Sequence, residues 1–305
     1  MASDPAEKRA PALAPAEGTR AGPHAAPAAL RIALGAQLRR LREDSGTTAN
    51  EAAHALRATH SKISRLERGR TLAKQRDVAD LLTLYGVTDE TVRERILALA
   101  RQASIPGWWQ QYSDVLPRWL ELYVGLEEAA SVIRAYEVQF VHGLMQTEDY
   151  ARAVILIANA DAPAEEIDRR VAARMRRQAL LTRPDAPELW AVLDEAALRR
   201  APDGPDVMRA QLEHLLVLAE RPNVTLQVVP FHTGPHAAAG GPFTILRFPQ
   251  ADVPDGVYLE QLNSALYLDE SADVTTYLAI MNRLSVKADS PAASRDMLHA
   301  LLRQG

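Results

Sequence analysis

Between Ala58 and Arg70 the chain reads ATHSKISRLERGR, with five basic side chains in thirteen residues. Wound as a helix, this segment sets Ile63 and Leu66 on one face, three residues apart. His60, Ser61, Lys62, Ser64 and Arg65 then share the opposite face. Such a face suits recognition of a polyanion, because an arginine fork donates two hydrogen bonds to a guanine edge or a phosphate. A solvated surface helix is the plainer reading of the same charges.

Other groups invite chemistry less strongly. His232 and His236 stand four apart in PFHTGPHAAAGGPF, and histidines at that spacing share a metal when they sit on a helix. This loop is irregular, cysteine is absent, and Glu260 or Asp269 would have to serve as third ligand. A flexible strand connection, or a Gly–Ala lining for a small pocket, accounts for the loop more simply. Asp194–Glu195 suggests an acid–base pair but stands where a helix begins. Trp108, Trp109 and Tyr112, with Trp119 nearby, read as packing between domains. No Ser-His-Asp order, glycine-rich phosphate loop or paired-carboxylate motif stands out, so neither an enzyme nor a cofactor is expected.

Charge is unevenly spread. Residues 30–76 carry eleven basic and four acidic side chains, or +7, and the remainder at −11 brings the chain to −4. A basic head on an acidic body points to nucleic acid as the partner of the head alone. The 305 residues, 47% hydrophobic, are enough for two domains with a sizeable core. No apolar run of about eighteen residues predicts a membrane span. The N-terminus lacks a charged start followed by an apolar core, so no secretory leader is expected. Absence of cysteine fits the cytoplasm.

These residues need elements to hold them. Residues 1–28, rich in Ala, Pro and Gly, predict a disordered tail. Residues 29–104 predict a helical head of five helices. Leu30, Leu34, Leu38 and Leu41 mark the first. Thr48 caps the second over ANEAAHAL, and a turn at Arg57–Ala58 follows. Thr59 caps the third through about Glu67, and Gly69 ends it. Asp77–Tyr85 predicts the fourth, and Thr88 caps the fifth. Two short helices joined by a tight turn, the second basic, describe a helix-turn-helix. Ala53 is small where the helices cross, and Leu56, Ile63 and Leu66 dock onto Leu38 and Leu41.

Residues 105–305 predict an α+β effector or dimerisation domain with a mainly antiparallel sheet. Helical patterns cover Pro117–Gln139, Glu148–Ala158, Ala164–Leu181, Pro205–Glu220, Asp273–Lys287 and Pro291–Arg303. Strand-like runs are LWAVL, VTLQVV, FTILRF, GVYLE and LYL.

The stretch LRRLREDSGTTANEAAHALRATHSKISRLERGR resembles the Xre/lambda-repressor-like helix-turn-helix family. That resemblance implies a buried ion pair between Arg42 and Glu67, with Arg42 also near a phosphate. It implies base contacts from His60, Ser61 and Arg65, with Lys62 on the same face, and phosphate contacts from Arg68, Arg70 and Lys74. Thr48 counts among the DNA-facing residues at the start of the second helix. Ala49 departs from a glutamine frequent in the family, and Arg57 from a glycine in left-handed conformation.

GWWQQY, YVGLEEAASVIRAYE, GLMQTEDYARAVI, VLDEAALRR, RPNVTLQVVPF and GGPFTILRFP resemble the effector domain of unassigned function in many regulators of GC-rich Gram-positive bacteria. His142 and Met145 depart from its usual proline and leucine. The resemblances together imply a transcription regulator that binds double-stranded DNA as a homodimer. Its body would sense a small-molecule ligand or bind a small partner protein encoded nearby. The alternatives are an antitoxin-like repressor holding a small partner, and a metal-dependent enzyme with a DNA-binding head.

Overall fold

The computed structural model describes residues 27–249 and 253–304. The expected tail lies outside the described residues except for Pro27 and Ala28, which open the first helix. The head is helical throughout: α1 (Pro27–Asp44), α2 (Ala49–Ala55), α3 (His60–Glu67), α4 (Gln75–Leu84) and α5 (Glu90–Ala103). Local chemistry sets most of its boundaries. The Thr48 hydroxyl accepts from Glu51 N at 3.2 Å, and the Glu51 carboxylate accepts from Thr48 N at 2.7 Å. This reciprocal pair satisfies two donors that the first turn of α2 leaves open. The Thr59 hydroxyl does the same for Lys62 N at 3.2 Å. Asp89, not Thr88, caps α5, because its carboxylate reaches the backbone N–H of both Thr91 and Val92.

Helix α2 ends on Arg57 at φ 49°, the non-glycine residue at positive φ among the described residues. Arg57 N donates to His54 O and Ala58 N to Ala53 O, which closes the last turn of α2. Helix α3 ends the same way on Gly69, at φ 66°. Here a Cβ would also lie 2.7 Å from the Ile32 backbone, so glycine serves both the turn and the contact with α1.

The Arg42–Glu67 pair joins the end of α1 to the end of α3. Arg42 Nε donates to Glu67 Oε1 at 2.6 Å and Nη2 to Oε2 at 3.1 Å; the two side chains are 13% and 8% exposed. Arg42 Nη1 also donates to Thr47 O at 3.2 Å. Around this clasp, Leu34, Leu38, Ile63, Leu66, Leu81, Leu82 and Ile96 form the head core.

In the body, α6 (Arg118–Ala129) is followed by strand β1 (Val132–Glu137). The helix expected over Pro117–Gln139 therefore stops ten residues early. Val132 and Ile133 are β-branched, and the strand is buried between two layers, so tertiary packing overrides a pattern that reads as helix. Then come α7 (Glu148–Ala158), α8 (Ala164–Gln178), β2 (Glu188–Asp194), the short α9 (Glu195–Arg199) and α10 (Pro205–Leu218). Strands β3 (Val224–Val229), β4 (Phe243–Arg247), β5 (Gly256–Glu260) and β6 (Ala265–Leu268) precede α11 (Ser271–Lys287) and α12 (Pro291–Gln304).

The six strands form one mixed sheet in the order β3-β2-β1-β4-β5-β6. Its three pairings from β1 outward through β6 are antiparallel, whereas β1–β2 and β2–β3 are parallel. The parallel part has a plain cause: β2 and β3 are apolar on both faces, and helices separate them from their neighbours in sequence. One face packs on α6, α7, α10 and α12. The other packs on α11 through Val274, Met281 and Leu284.

Head and body meet along α1. Ala28 and Ile32 belong to the body core, while Leu30, Leu34 and Leu38 belong to the head core. Trp109, 2% exposed, sits at the same seam, as packing between domains requires.

Two expectations follow for stability. Glu67→Ala leaves Arg42 buried without its carboxylate, which costs about 3–5 kcal/mol. Thermal unfolding followed by circular dichroism should therefore show early loss of head helix, and an unchanged midpoint would mean the pair is not buried. Arg57→Gly relieves roughly 1–2 kcal/mol of left-handed strain but adds about 0.4–1 kcal/mol of unfolded-state entropy. In urea unfolding it should exceed Arg57→Ala in stability by up to about 1 kcal/mol; a less stable glycine variant would contradict the strain.

Candidate nucleic-acid interface

Helix α3 turns Ile63 and Leu66 into the head core and leaves His60, Ser61, Arg65 and Arg68 exposed. This is the division expected from their spacing. Lys62 is half-buried, and its ammonium donates to Asp77 Oδ2 at 2.7 Å on α4. That contact holds the charged end of the side chain against α4, while 37% of the side chain stays exposed. Thr48 is exposed at the start of α2, with its hydroxyl engaged by Glu51. Arg57 and Lys74 are exposed beside α3, and the Arg76 side chain is 90% exposed.

His60, Ser61, Arg65 and Arg68 thus form one open polar surface, flanked by Arg57 and Lys74. A helix such as α3, about 10–12 Å across with its side chains, fits a major groove about 12 Å wide. The N-terminus of α3 also directs its positive partial charge outward beside His60.

Two residues expected at phosphates are occupied elsewhere. Arg42 spends its donors on Glu67 and Thr47 O. Arg70 faces the body: its Nη2 donates to Tyr267 O on β6 at 2.7 Å, and its guanidinium lies 5.8 Å from the Tyr267 ring centroid. The Asp269 carboxylate is 4.0 Å away. Sequence alone carries no signal for this contact, because the partners are almost two hundred positions apart.

The body's candidates resolve into structure. Asp194 caps α9 by accepting from Ala196 N at 2.9 Å. Glu195 pairs with Arg199 at 2.6 Å and accepts from Phe231 N at 2.7 Å, contacts that hold its carboxyl below the usual range against the opposing effect of burial. His236 accepts from Ala238 N at Nδ1 and meets the Tyr136 hydroxyl at Nε2, 3.1 Å away. Among the described residues no group of three or more metal-ligating side chains gathers, so His232 and His236 are not joined by Glu260 or Asp269. No described helix is long and apolar enough to cross a membrane.

A buried charge that sequence reading passed over lies on α6. Glu127 stands four residues after Tyr123 on the apolar face of the helix, is fully buried, and accepts from Arg177 Nη2 at 2.8 Å and Tyr123 Oη at 2.9 Å. The signal was present in YVGLEEAA: a carboxylate at the spacing of buried residues must have a partner.

Residues 33–95 match the family described as a helix-turn-helix domain. Residues 120–300 match the family described as a domain of unknown function, DUF5753. No curated protein and no solved structure matches the chain. With a DNA-binding helix-turn-helix in front and a matched segment that spans more than half its length, the chain belongs to the DUF5753 family.

Proposed function

We propose that the chain is a sequence-specific transcription regulator of the Xre type that acts by binding rather than by catalysis. The observation that carries this reading is the open face of α3, with His60, Ser61 and Arg65 exposed on a helix clasped from behind by Arg42 and Glu67. A rigid backing of this kind keeps base-reading side chains in register with a groove. In this reading Arg65 donates to a guanine edge, and Arg68 and Lys74 anchor phosphates. Two copies on a near-palindrome would set their α3 helices about 34 Å apart. The body then supplies dimerisation and receives the signal, from a small molecule or a small partner protein.

The reading is tested by selecting a site from random duplexes and titrating variants against it, its single-base variants and unrelated DNA at several salt concentrations. Arg65→Ala should lose about 1–3 kcal/mol at the selected site and relax preference at one base pair. Arg68→Ala should weaken all sequences alike and lower the salt slope by about one. An even loss of affinity for Arg65→Ala across every sequence would reduce α3 to an electrostatic surface. Arg70→Ala should leave the salt slope unchanged, because the side chain is spent on β6. It should instead speed limited proteolysis between head and body; a lowered slope would return Arg70 to the DNA.

A further inference from the structure

Beneath α8 the body holds two ionisable groups, Arg174 and Glu137, that no ion pair among the described residues neutralises. Arg177 is neutralised by Glu127, but Arg174, one turn earlier, is not. Its one hydrogen bond runs from Nη1 to the side-chain oxygen of Gln146 at 2.9 Å, and among the described residues it forms no ion pair. Gln146 is itself fixed, since its Nε2 donates to Val141 O at 2.7 Å. Arg174 is therefore held in place by a neutral amide.

Facing it is Glu137, the last residue of β1. It is half-buried, and no described residue donates to its carboxyl. The register Ala135–Thr244–Tyr258, continued by two residues, sets Glu137 and Glu260 in one row on the face beneath α8. Two strand spacings separate them, roughly 10 Å. Glu260 is exposed, and Glu137 and Arg174 are each partly exposed, so solvent reaches all three groups. The other charged and titratable neighbours are Arg177, Tyr258 and His142, the last of which is buried and neutral. Burial and the Glu260 charge push the Glu137 carboxyl up to about 8, and burial with Arg177 brings Arg174 down to about 10. Burial is the first cause of both shifts, so Glu137 takes its ionised form when a positive charge comes to meet it.

Glu137 stands at the carboxyl end of β1, the strand at which the sheet changes from parallel to antiparallel pairing. A bare anion would meet two carboxyls here, and a bare cation would meet Arg174. A molecule carrying both charges would satisfy every group.

We infer that these three side chains bind a small zwitterion of the amino-acid type, its carboxylate received by Arg174 and its ammonium by Glu137 and Glu260. The inference rests on the body being the sensing part of a regulator. It also names how a signal could leave the site. Tyr258 stacks on Tyr123 with centroids 4.0 Å apart and pairs across strands with Tyr267, the residue that receives Arg70.

The test is calorimetric titration of the full chain, without DNA, with each of the twenty standard amino acids, and with ethylamine and acetate as half-ligands. At least one amino acid should bind one-to-one, and neither half-ligand should match it. Glu137→Gln keeps the shape and removes the charge, and it should weaken binding at least tenfold with an unchanged circular dichroism spectrum. Arg174→Ala should do likewise. Absence of binding by every amino acid at 1 mM on the order of a weak site, affinity untouched by both variants, or ethylamine binding as tightly as the amino acid would each overturn the assignment. DNA affinity, measured separately, judges the regulator reading on its own: a chain that binds the amino acid but no DNA keeps the site and loses that reading.

Discussion

Helix α1 belongs to two cores at once, and the rest of the molecule is arranged around that constraint. Its eighteen residues turn Leu30, Leu34 and Leu38 toward the head and Ala28 and Ile32 toward the body. The two stripes lie on different sides of one rigid rod about 27 Å long. Gly35 lets the end of α3 press onto this rod, since a Cβ there would lie 2.5 Å from Glu67 O. Two domains joined by a linker would move independently. Here, any swing of the head must pull Ile32 or Leu34 out of an apolar environment, at a cost of about 1.5–3 kcal/mol for a fully buried side chain.

What local chemistry decides was legible in the sequence. The caps Thr48 and Thr59, the strained turn at Arg57 and the stop at Gly69 each depend on residues within five positions, and each occurs in the structure. The division of α3 into a buried and an exposed face follows from helical spacing alone. Strand β1 was not legible, because VIRAYE continues an apolar pattern that a helix satisfies equally well, and only its neighbours β2 and β4 decide the matter. Asp89 in place of Thr88 is a choice between two adjacent capping residues. Arg70 and the groups beneath α8 depend on contacts across the whole chain, so their roles carry no local mark.

The two buried arginine–glutamate pairs do different work. Arg42–Glu67 ties helices within the head and lies behind the surface that faces outward. Arg177–Glu127 lies between α6 and α8, with the Arg177 guanidinium 5.0 Å from the Tyr123 ring centroid. From there Tyr258, Tyr267 and Arg70 form a continuous run of contacts to a point three residues past the end of α3. Spatial continuity makes coupling physically available; a change of state at one end is what would use it.

Arg70 sits three residues past the end of α3 and His60 at its start, so the head, with α3 clasped to α1, acts as a lever with its fulcrum on β6. Across about 12 Å of helix, a tilt of about 10° carries the far end through roughly 2 Å. Hydrogen bonds to a base edge survive only a few tenths of an ångström beyond their usual range of about 2.7–3.2 Å. A displacement of β6 too small to unfold anything would therefore be enough to misalign His60 and Ser61, while Arg68, next to the fulcrum, would scarcely move. In the proposed regulator, the angular tolerance of the seam, rather than its strength, would set how finely base reading is tuned.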